Sequence, residues 1–301
     1  MNGKNTYEEF KEILQGRLQE EYTDGEVYIQ SVRKNNNTRK EGIIVWEKGE
    51  EVVSGINLKA LYRCYQEMGD MELCVQLVKM LVSKKKELNL ESIPATWEEC
   101  RGRITMRLIH TEWNREYLQT VPHIEFLDLS VTFYLMLQKL EEGICTIPIT
   151  NAFMEFLGIS IEELHQEGLQ NLMEKGRFEI HTLNAYMAEL LEEGQDEPET
   201  VQTISEDSYV MLSDNRIFGS SGMLATETLM EFAERRNDDF YILPCSVHEL
   251  ILVLASTNVS PDYLREVVQE VNEESVLPEE RLSDAVYYFS RESGMVQLAG
   301  E

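Results

Sequence analysis

The segment from Tyr209 to the end of the chain alternates between β-rich and helical stretches in an order that strongly constrains its fold. The patterns follow one another as β-β-α-β-β-α-β-β. Because short connections join neighbouring strands, this order predicts antiparallel pairing with helices on one face of a sheet, an α+β fold. The predicted segments are strands Tyr209–Leu212, Arg216–Gly219, Phe240–Leu243, Glu249–Leu254, Ala285–Ser290 and Met295–Leu298, and helices Met223–Arg235 and Pro261–Val271.

The first 90 residues carry a different pattern and predict a unit of their own. Apolar residues near the start recur at helical spacing, and Thr6 with Glu9 forms the capping-box pattern that begins a helix. Two β-rich runs separated by a polar loop then predict a hairpin, and two helices follow it. The predicted elements of this α-β-β-α-α unit are helix Thr6–Glu21, strands Val27–Val32 and Gly42–Trp46, and helices Leu58–Met68 and Glu72–Leu88.

Residues 91–191 form a central region of mixed patterns. Its segment Ile124–Leu137 is almost continuously apolar and predicts one strand buried on both faces, with a buried helix as the alternative. Residues 192–207 combine Gly, Pro and many carboxylates and predict an acidic linker. Residues 208–301 form the last unit, either separate from the central region or one domain with it. The other central elements are strands Arg103–Ile109 and Thr146–Ile149, and helices Thr111–Gln119, Thr150–Leu157 and Ile161–Asn171.

The net charge of −28 is distributed unevenly along the chain. Residues 1–150 contain 24 Asp and Glu against 19 Lys and Arg, whereas residues 151–301 contain 31 against 8. An acidic surface repels nucleic-acid phosphates and anionic lipids, because both are bound by clustered Lys and Arg. The composition therefore argues against direct binding to nucleic acid or membrane. It leaves plain solubility or a basic protein partner as interpretations.

Cysteine usage and apolar runs indicate the compartment. The cysteines are scattered and never form a C-x-x-C pair, which argues against a disulfide framework and a zinc ribbon. Free thiols are typical of a reducing compartment. The amino-terminal segment lacks the apolar core of a secretion signal, and no apolar run reaches the roughly 18 residues that cross a bilayer. We therefore expect a cytoplasmic protein. The five cysteines are Cys64, Cys74, Cys100, Cys145 and Cys245.

Four strings stand along the chain in a fixed order, and KNNNTRKEGI precedes them near the amino terminus. Together they resemble a bacterial family known as domain of unknown function 5688, common in anaerobic gut bacteria. The resemblance covers nearly the whole chain and implies an uncharacterised protein with no known catalytic or binding residues. Cys245-Ser246 stands where two serines are expected in the family, so a thiol there is not a shared nucleophile. The strings are VPHIEFLDLSVTFY, GISIEELHQEGLQN, FYILPCSVHELILV and LSDAVYYFSRESG.

Four residues are candidates for a site: His123, Asp128, His248 and Glu249. Cys245 and His248 have the spacing of half a zinc site, but no second half exists, and the structural interpretation is a tight loop in which His248 bonds the backbone. His123 adjoins the apolar run, either as a base or as a packing residue. Asp128 lies within that run and needs a partner, for which we expect Arg103 or Arg107; a functional carboxylate is the alternative.

Three functions follow from these observations. The sequence shows no metal set, no glycine-rich nucleotide motif and no activated nucleophile, so it favours a non-enzymatic binding or accessory module without cofactors. The first alternative is an acidic decoy that binds a basic nucleic-acid-processing protein. The second is a hydrolase or transferase with a site assembled from His123, Asp128 and His248. That last alternative requires the three side chains to meet in the fold.

Overall fold

The computed structural model describes residues 5–48, 54–86, 94–140, 143–192, 207–214, 216–244 and 246–300. The chain divides into two compact units. The first contains Met1–Lys34 and Thr38–Glu91, and the second contains Asn35–Asn37 and Ser92–Glu301. Helices and mostly antiparallel sheets confirm the α+β class. The predicted acidic linker falls almost wholly outside the described residues. Within the described residues, no helix is both long and apolar enough to cross a bilayer.

The first unit is a three-stranded antiparallel sheet packed against helices. Thr6 and Glu9 form the predicted capping box at the start of the first helix. Phe10, Leu14 and Leu18 lie on one side of that helix and are fully buried, as their helical spacing requires. The elements are α1 (Tyr7–Glu21), β1 (Gly25–Arg33), β2 (Arg39–Glu47), β3 (Ser54–Asn57), α2 (Leu58–Met68) and α3 (Met71–Lys86), with strand order β1-β2-β3. The hairpin and both later helices confirm the predictions.

The second unit is built on two antiparallel sheets. In the four-stranded sheet, β6 pairs with β4, β5 and β7; the strands are β4 (Ile104–His110), β5 (His123–Phe126), β6 (Leu129–Leu140) and β7 (Gly143–Pro148). The six-stranded sheet has the order β13-β12-β10-β11-β9-β8. Its strands are β8 (Phe178–Thr182), β9 (Ser208–Ser213), β10 (Phe240–Leu243), β11 (Glu249–Leu254), β12 (Tyr287–Ser290) and β13 (Met295–Leu298).

One continuous core lies beneath both sheets of the second unit and includes Leu108 and Phe133 of one sheet and Phe240 and Leu250 of the other. The helix Ile161–Lys175 packs on β4 so closely that a Cβ at Gly168 would lie 3.0 Å from the Met106 side chain. The helices are α4 (Trp97–Cys100), α5 (Arg115–Leu118), α6 (Asn151–Leu157), α7 (Ile161–Lys175), α8 (Leu183–Glu192), α9 (Thr226–Arg236) and α10 (Pro261–Glu274).

Several sequence-based assignments in the second unit are wrong. The apolar run Ile124–Leu137 is not one strand, because β5 and β6 form a hairpin that turns at Leu127 and Asp128. Arg216–Gly219 is not a strand, since Arg216 and Phe218 have positive φ angles and a 3₁₀ segment, Gly219–Leu224, follows. The predicted helix Thr111–Gln119 is a short 3₁₀ turn followed by α5. Strand β8 and helix α8 were not predicted.

Candidate functional site

Three side chains lie against the ring of Phe218 in the second unit, and a fourth contacts one of them. The guanidinium carbon of Arg107, in the middle of β4, lies 5.1 Å from the centroid of that ring. The His248 ring is nearly parallel to it at 6.2 Å, and the Tyr134 ring lies at 5.6 Å. The hydroxyl groups of Tyr134 and Tyr117 are 3.2 Å apart. We call Arg107, Tyr117, Tyr134, Phe218 and His248 the arginine cluster.

Strand register and a close backbone approach place these residues. Arg107 and His123 each lie opposite Thr132 of β6, so all three side chains are on the same face of the sheet. Phe218 adopts a left-handed conformation with φ of 56°. The next residue, Gly219, approaches the backbone just before β11 so closely that a Cβ there would lie 2.1 Å from the His248 carbonyl oxygen. Glycine at this position therefore allows Phe218 and His248 to meet.

The arginine cluster has more hydrogen-bond donors than acceptors. Burial lowers the pKa of His248, and the charge of Arg107 lowers it further, so the ring is neutral at pH 7. Its Nδ1 accepts the Phe218 N–H at 3.4 Å, which leaves the ring proton on Nε2. The hydroxyl groups of Tyr117 and Tyr134 share one hydrogen bond, so one of their two protons remains available to donate to another acceptor. The buried Nε of Arg107 has no acceptor among the described residues.

Comparison with known proteins gives one match. A model of a family of unknown function, DUF5688, matches residues 7–291 of the 301-residue chain. The chain belongs to the DUF5688 family. No curated protein and no solved structure matches it. The match confirms the family resemblance seen in the sequence, and it assigns no role to any residue of this DUF5688 chain.

Glu249 is the first residue of β11 in the DUF5688 fold, and His248 directly precedes the strand. The hydroxyl of Ser246 accepts the backbone N–H groups of both residues, at 3.0 and 3.2 Å. Glu249 is partly buried, which raises its pKa, and it accepts a hydrogen bond from the Tyr186 hydroxyl at 3.3 Å. Glu249 thus has a structural partner. Cys245, the other half of the considered metal spacing, lies outside the described residues.

Asp128 has partners other than the predicted arginines. Its carboxylate accepts hydrogen bonds from the hydroxyl groups of Ser283 and Tyr287, each at 2.6 Å. The Nε2 of His110 lies 3.7 Å from the same carboxylate. Burial raises the pKa of Tyr287 well above its usual value, and the Asp128 charge adds to this effect. The expected ion pair with Arg103 or Arg107 is therefore wrong for the described structure.

His123, Asp128 and His248 do not form one constellation. His123 lies opposite Thr132, whereas Asp128 precedes Leu129 at the hairpin turn. Three residues of β6, about 10 Å of strand, separate those two positions. The Nδ1 of His123 lies 3.1 Å from the Val121 carbonyl oxygen. His248 belongs instead to the arginine cluster, so each of the three candidates has its own surroundings.

The residues that dominate the arginine cluster were not predicted as site residues. Arg107 interrupts an apolar strand in the same way as Asp128 does, and this is the one sequence feature that marks it. Phe218 and Tyr117 carry no comparable feature. Their place depends on the left-handed turn before Gly219 and on the sheet register, which no local pattern predicts.

Proposed function

We propose that the protein is a non-enzymatic binding module whose arginine cluster holds the anionic group of a ligand. Arg107 carries this proposal. Its half-buried guanidinium has no carboxylate partner in the described part of the second unit, although that unit has 39 Asp and Glu and 13 Lys and Arg. A desolvated cation without a partner is unfavourable, and an anionic oxygen atom from a ligand would supply the missing acceptor.

A carboxylate or phosphate group fits the donors of the cluster. Arginine binds both groups with two parallel hydrogen bonds. The Nε2–H of neutral His248 and the spare tyrosine proton are further donors for the same anion. Aromatic rings on several sides reduce the local dielectric constant, which strengthens each charge-assisted bond. The arginine, histidine and tyrosine side chains each act in the cluster as hydrogen-bond donors, and anion binding is the function that this set of donors supports.

Thermal unfolding of the full chain tests this proposal. We expect 20 mM sodium phosphate or acetate to raise the melting temperature of the wild type by about 3 °C relative to sodium chloride of equal ionic strength, since a ligand at about tenfold over its Kd stabilises by about 1.4 kcal/mol. Arg107→Gln should abolish the shift. The control Arg115→Gln removes an exposed arginine paired with Glu112 and should keep it. Equal shifts in all three proteins would contradict the proposal.

The ring of His248 gives a second, local measurement. A bound anion near the imidazole favours its protonated form, so the pKa of His248 in NMR titrations should rise when phosphate or acetate is added. By linkage, anion affinity should increase as the pH falls through that pKa. The same titration in Arg107→Gln should show no ligand-dependent rise. A wild-type His248 that titrates identically with and without the anion would argue against the cluster as the binding site.

The two alternative functions differ in the support that they retain. The hydrolase or transferase alternative required His123, Asp128 and His248 to meet, and their separate surroundings remove its support. The acidic decoy for a basic protein stays a prediction, because it depends on a partner. A basic protein that binds in a salt-sensitive way, with affinity unchanged by Arg107→Gln, would favour the decoy over the binding module.

A further inference from the structure

A groove in the second unit continues from the arginine cluster. It has a volume of about 530 Å³, and Thr105 and Phe218 are among the residues that line it. Thr105 lies directly opposite Tyr134 of the cluster, so these two side chains are neighbours on one face of the sheet. On the same face, Thr105 is two residues from Arg107, about 7 Å along the strand. A ligand with an anionic group at Arg107 can therefore extend past Thr105 and Phe218 into the groove.

Apolar side chains line much of the groove. Met136, Ile144, Phe178 and Ile217 contribute to it together with Phe218. The volume is within the range of small-molecule clefts, which are lined mainly by apolar side chains with a few polar groups that fix the orientation of the ligand. The body of a ligand in this groove should therefore be apolar.

A second set of cationic side chains lines the groove. Arg103, Lys175 and Arg177 are three of the thirteen basic side chains of the unit, whereas Glu174 and Asp214 are two of its thirty-nine acidic ones. Within the described residues, Arg103 and Arg177 are exposed and form no salt bridge. The groove is thus a basic site in an acidic unit, and its cations can bind a second anionic group.

The buried side chain of Asn171 holds the Lys175 ammonium group at the groove. Its Nδ2 donates hydrogen bonds to the carbonyls of Arg101 and Ile104 at 2.6 and 3.2 Å, which fixes the orientation of the amide. Its Oδ1 accepts a hydrogen bond from Lys175 Nζ at 2.7 Å, and the Gly102 carbonyl accepts another at 2.8 Å. An ammonium group has three protons, so the third can bond a ligand. A cation that is positioned before binding loses little side-chain freedom when the ligand arrives.

We propose that the protein binds an elongated ligand with an anionic group at each end and an apolar segment between them. One anionic group contacts Arg107, and the other contacts Arg103, Lys175 and Arg177. This inference rests on the proposed function, because the arginine cluster supplies the first contact. The net charge of the unit opposes a dianion, so the attraction must come from these local cations. Once one end is bound, the second contact forms at a high effective concentration and raises the affinity.

Isothermal titration calorimetry of the full chain at neutral pH tests the two contacts. The probes are butanedioate, hexanedioate, octanedioate and decanedioate, each compared with the monocarboxylate of the same chain length. A dicarboxylate that is too short to reach both sites should bind no better than its monocarboxylate, whereas one that spans them should bind about tenfold more tightly. If no dicarboxylate binds more tightly than its monocarboxylate, this inference is overturned. Binding of the monocarboxylates that depends on Arg107 would still support the proposed function.

Arginine variants separate the two ends of the ligand. In Arg103→Gln/Arg177→Gln, the best dicarboxylate should lose about tenfold in affinity and with it the advantage over the monocarboxylate. Arg107→Gln should weaken the binding of both compounds. The matched control Arg115→Gln/Arg235→Gln makes the same change in charge as the first variant at two exposed arginines outside the groove, and it should bind as the wild type does. Unchanged dicarboxylate affinity in Arg103→Gln/Arg177→Gln would overturn this inference alone, whereas unchanged affinity in Arg107→Gln would overturn the proposed function as well.

Discussion

The side chain of Asn36 makes three hydrogen bonds within the second unit. Its amide group donates to the carbonyls of Pro278 and Arg281 at 2.8 and 2.7 Å, and its oxygen accepts from Asn114 at 2.9 Å. Its φ of 57° is left-handed, a conformation that asparagine tolerates better than most residues. Asn37 has a similar φ of 55° without such bonds to a described residue.

The two asparagines therefore form a matched pair. Asn36→Ala and Asn37→Ala both lose the left-handed preference, but only Asn36→Ala loses the hydrogen bonds. At about 0.5–1.5 kcal/mol per bond, Asn36→Ala should cost about 2 kcal/mol more in the free energy of unfolding. Denaturant titration of both variants measures the difference. Equal losses would mean that backbone conformation alone explains the asparagines of this turn.

His165 provides a pH dependence whose sign follows from its burial. Burial lowers the pKa of His165, and the edge of its ring contacts Phe133 at 6.3 Å between centroids. The unfolded chain therefore takes up a proton near pH 6.5, while the folded protein does so only at lower pH. The neutral, buried form of His165 therefore contributes to the free energy of unfolding at neutral pH, and this contribution is lost as the pH falls below about 6.5. Between pH 7.5 and 5.5, wild type should lose more stability than His165→Leu. Parallel curves would contradict this.

At the scale of single residues, the sequence showed which side chain needs a hydrogen-bonding partner but not which residues provide it. The sequence indicates that Asp128 needs a partner, because a carboxylate within an apolar run cannot remain unsatisfied. Ser283 and Tyr287 satisfy it from a segment more than 150 residues later in the chain. Only the fold brings them together. The nearby arginines looked suitable because local sequence shows charge and spacing but not the direction in which a turn leaves the sheet.

At the scale of elements, substitution of Gly219 and of Gly16 by alanine should change the stability of the protein in opposite directions. At Gly219, a Cβ would lie 2.1 Å from the His248 carbonyl oxygen, so Gly219→Ala must shift backbone and should cost about 2–3 kcal/mol. At Gly16, inside α1, a Cβ meets nothing within 4 Å. Gly16→Ala should therefore stabilise the protein by about 0.5–1 kcal/mol through helix propensity. Denaturant unfolding checks both, and stabilisation by Gly219→Ala would show that the close approach is not tight.

Elements with their own local pattern were predicted, and those that depend on unusual turns were not. Helix α1 has a capping box and apolar spacing, so its start at Tyr7 was predictable. The β5–β6 hairpin turns through Leu127 with φ of 58°. Leucine rarely adopts that conformation, and no Gly or Asn marks the turn, so two strands looked like one. Leu127 is exposed, and the neighbouring Asp128 bonds Ser283 and Tyr287 from far along the chain, so tertiary hydrogen bonds hold this turn without a local sequence signal.

At the scale of the whole molecule, charge is divided between the units. The first unit has 16 Asp and Glu and 14 Lys and Arg, a net charge of −2, and the second has 39 and 13, a net charge of −26. Charges of one sign within one compact unit repel each other and oppose folding. The division was visible in the sequence, since counting needs no structure. Electrostatic repulsion should therefore affect the second unit selectively.

Salt should stabilise the second unit and leave the first nearly unchanged. Raising sodium chloride from about 10 mM to about 150 mM shortens the Debye length from about 30 Å to about 8 Å, which weakens long-range repulsion more than close ion pairs. Trp46→Phe leaves tryptophans 97 and 113 as reporters of the second unit, and Trp97→Phe/Trp113→Phe leaves Trp46 for the first. Fluorescence-detected melting should show a rise of about 3 °C, roughly 1 kcal/mol, for the second unit alone. Equal rises at both reporters would mean that salt acts through a general effect rather than through the charge of the second unit.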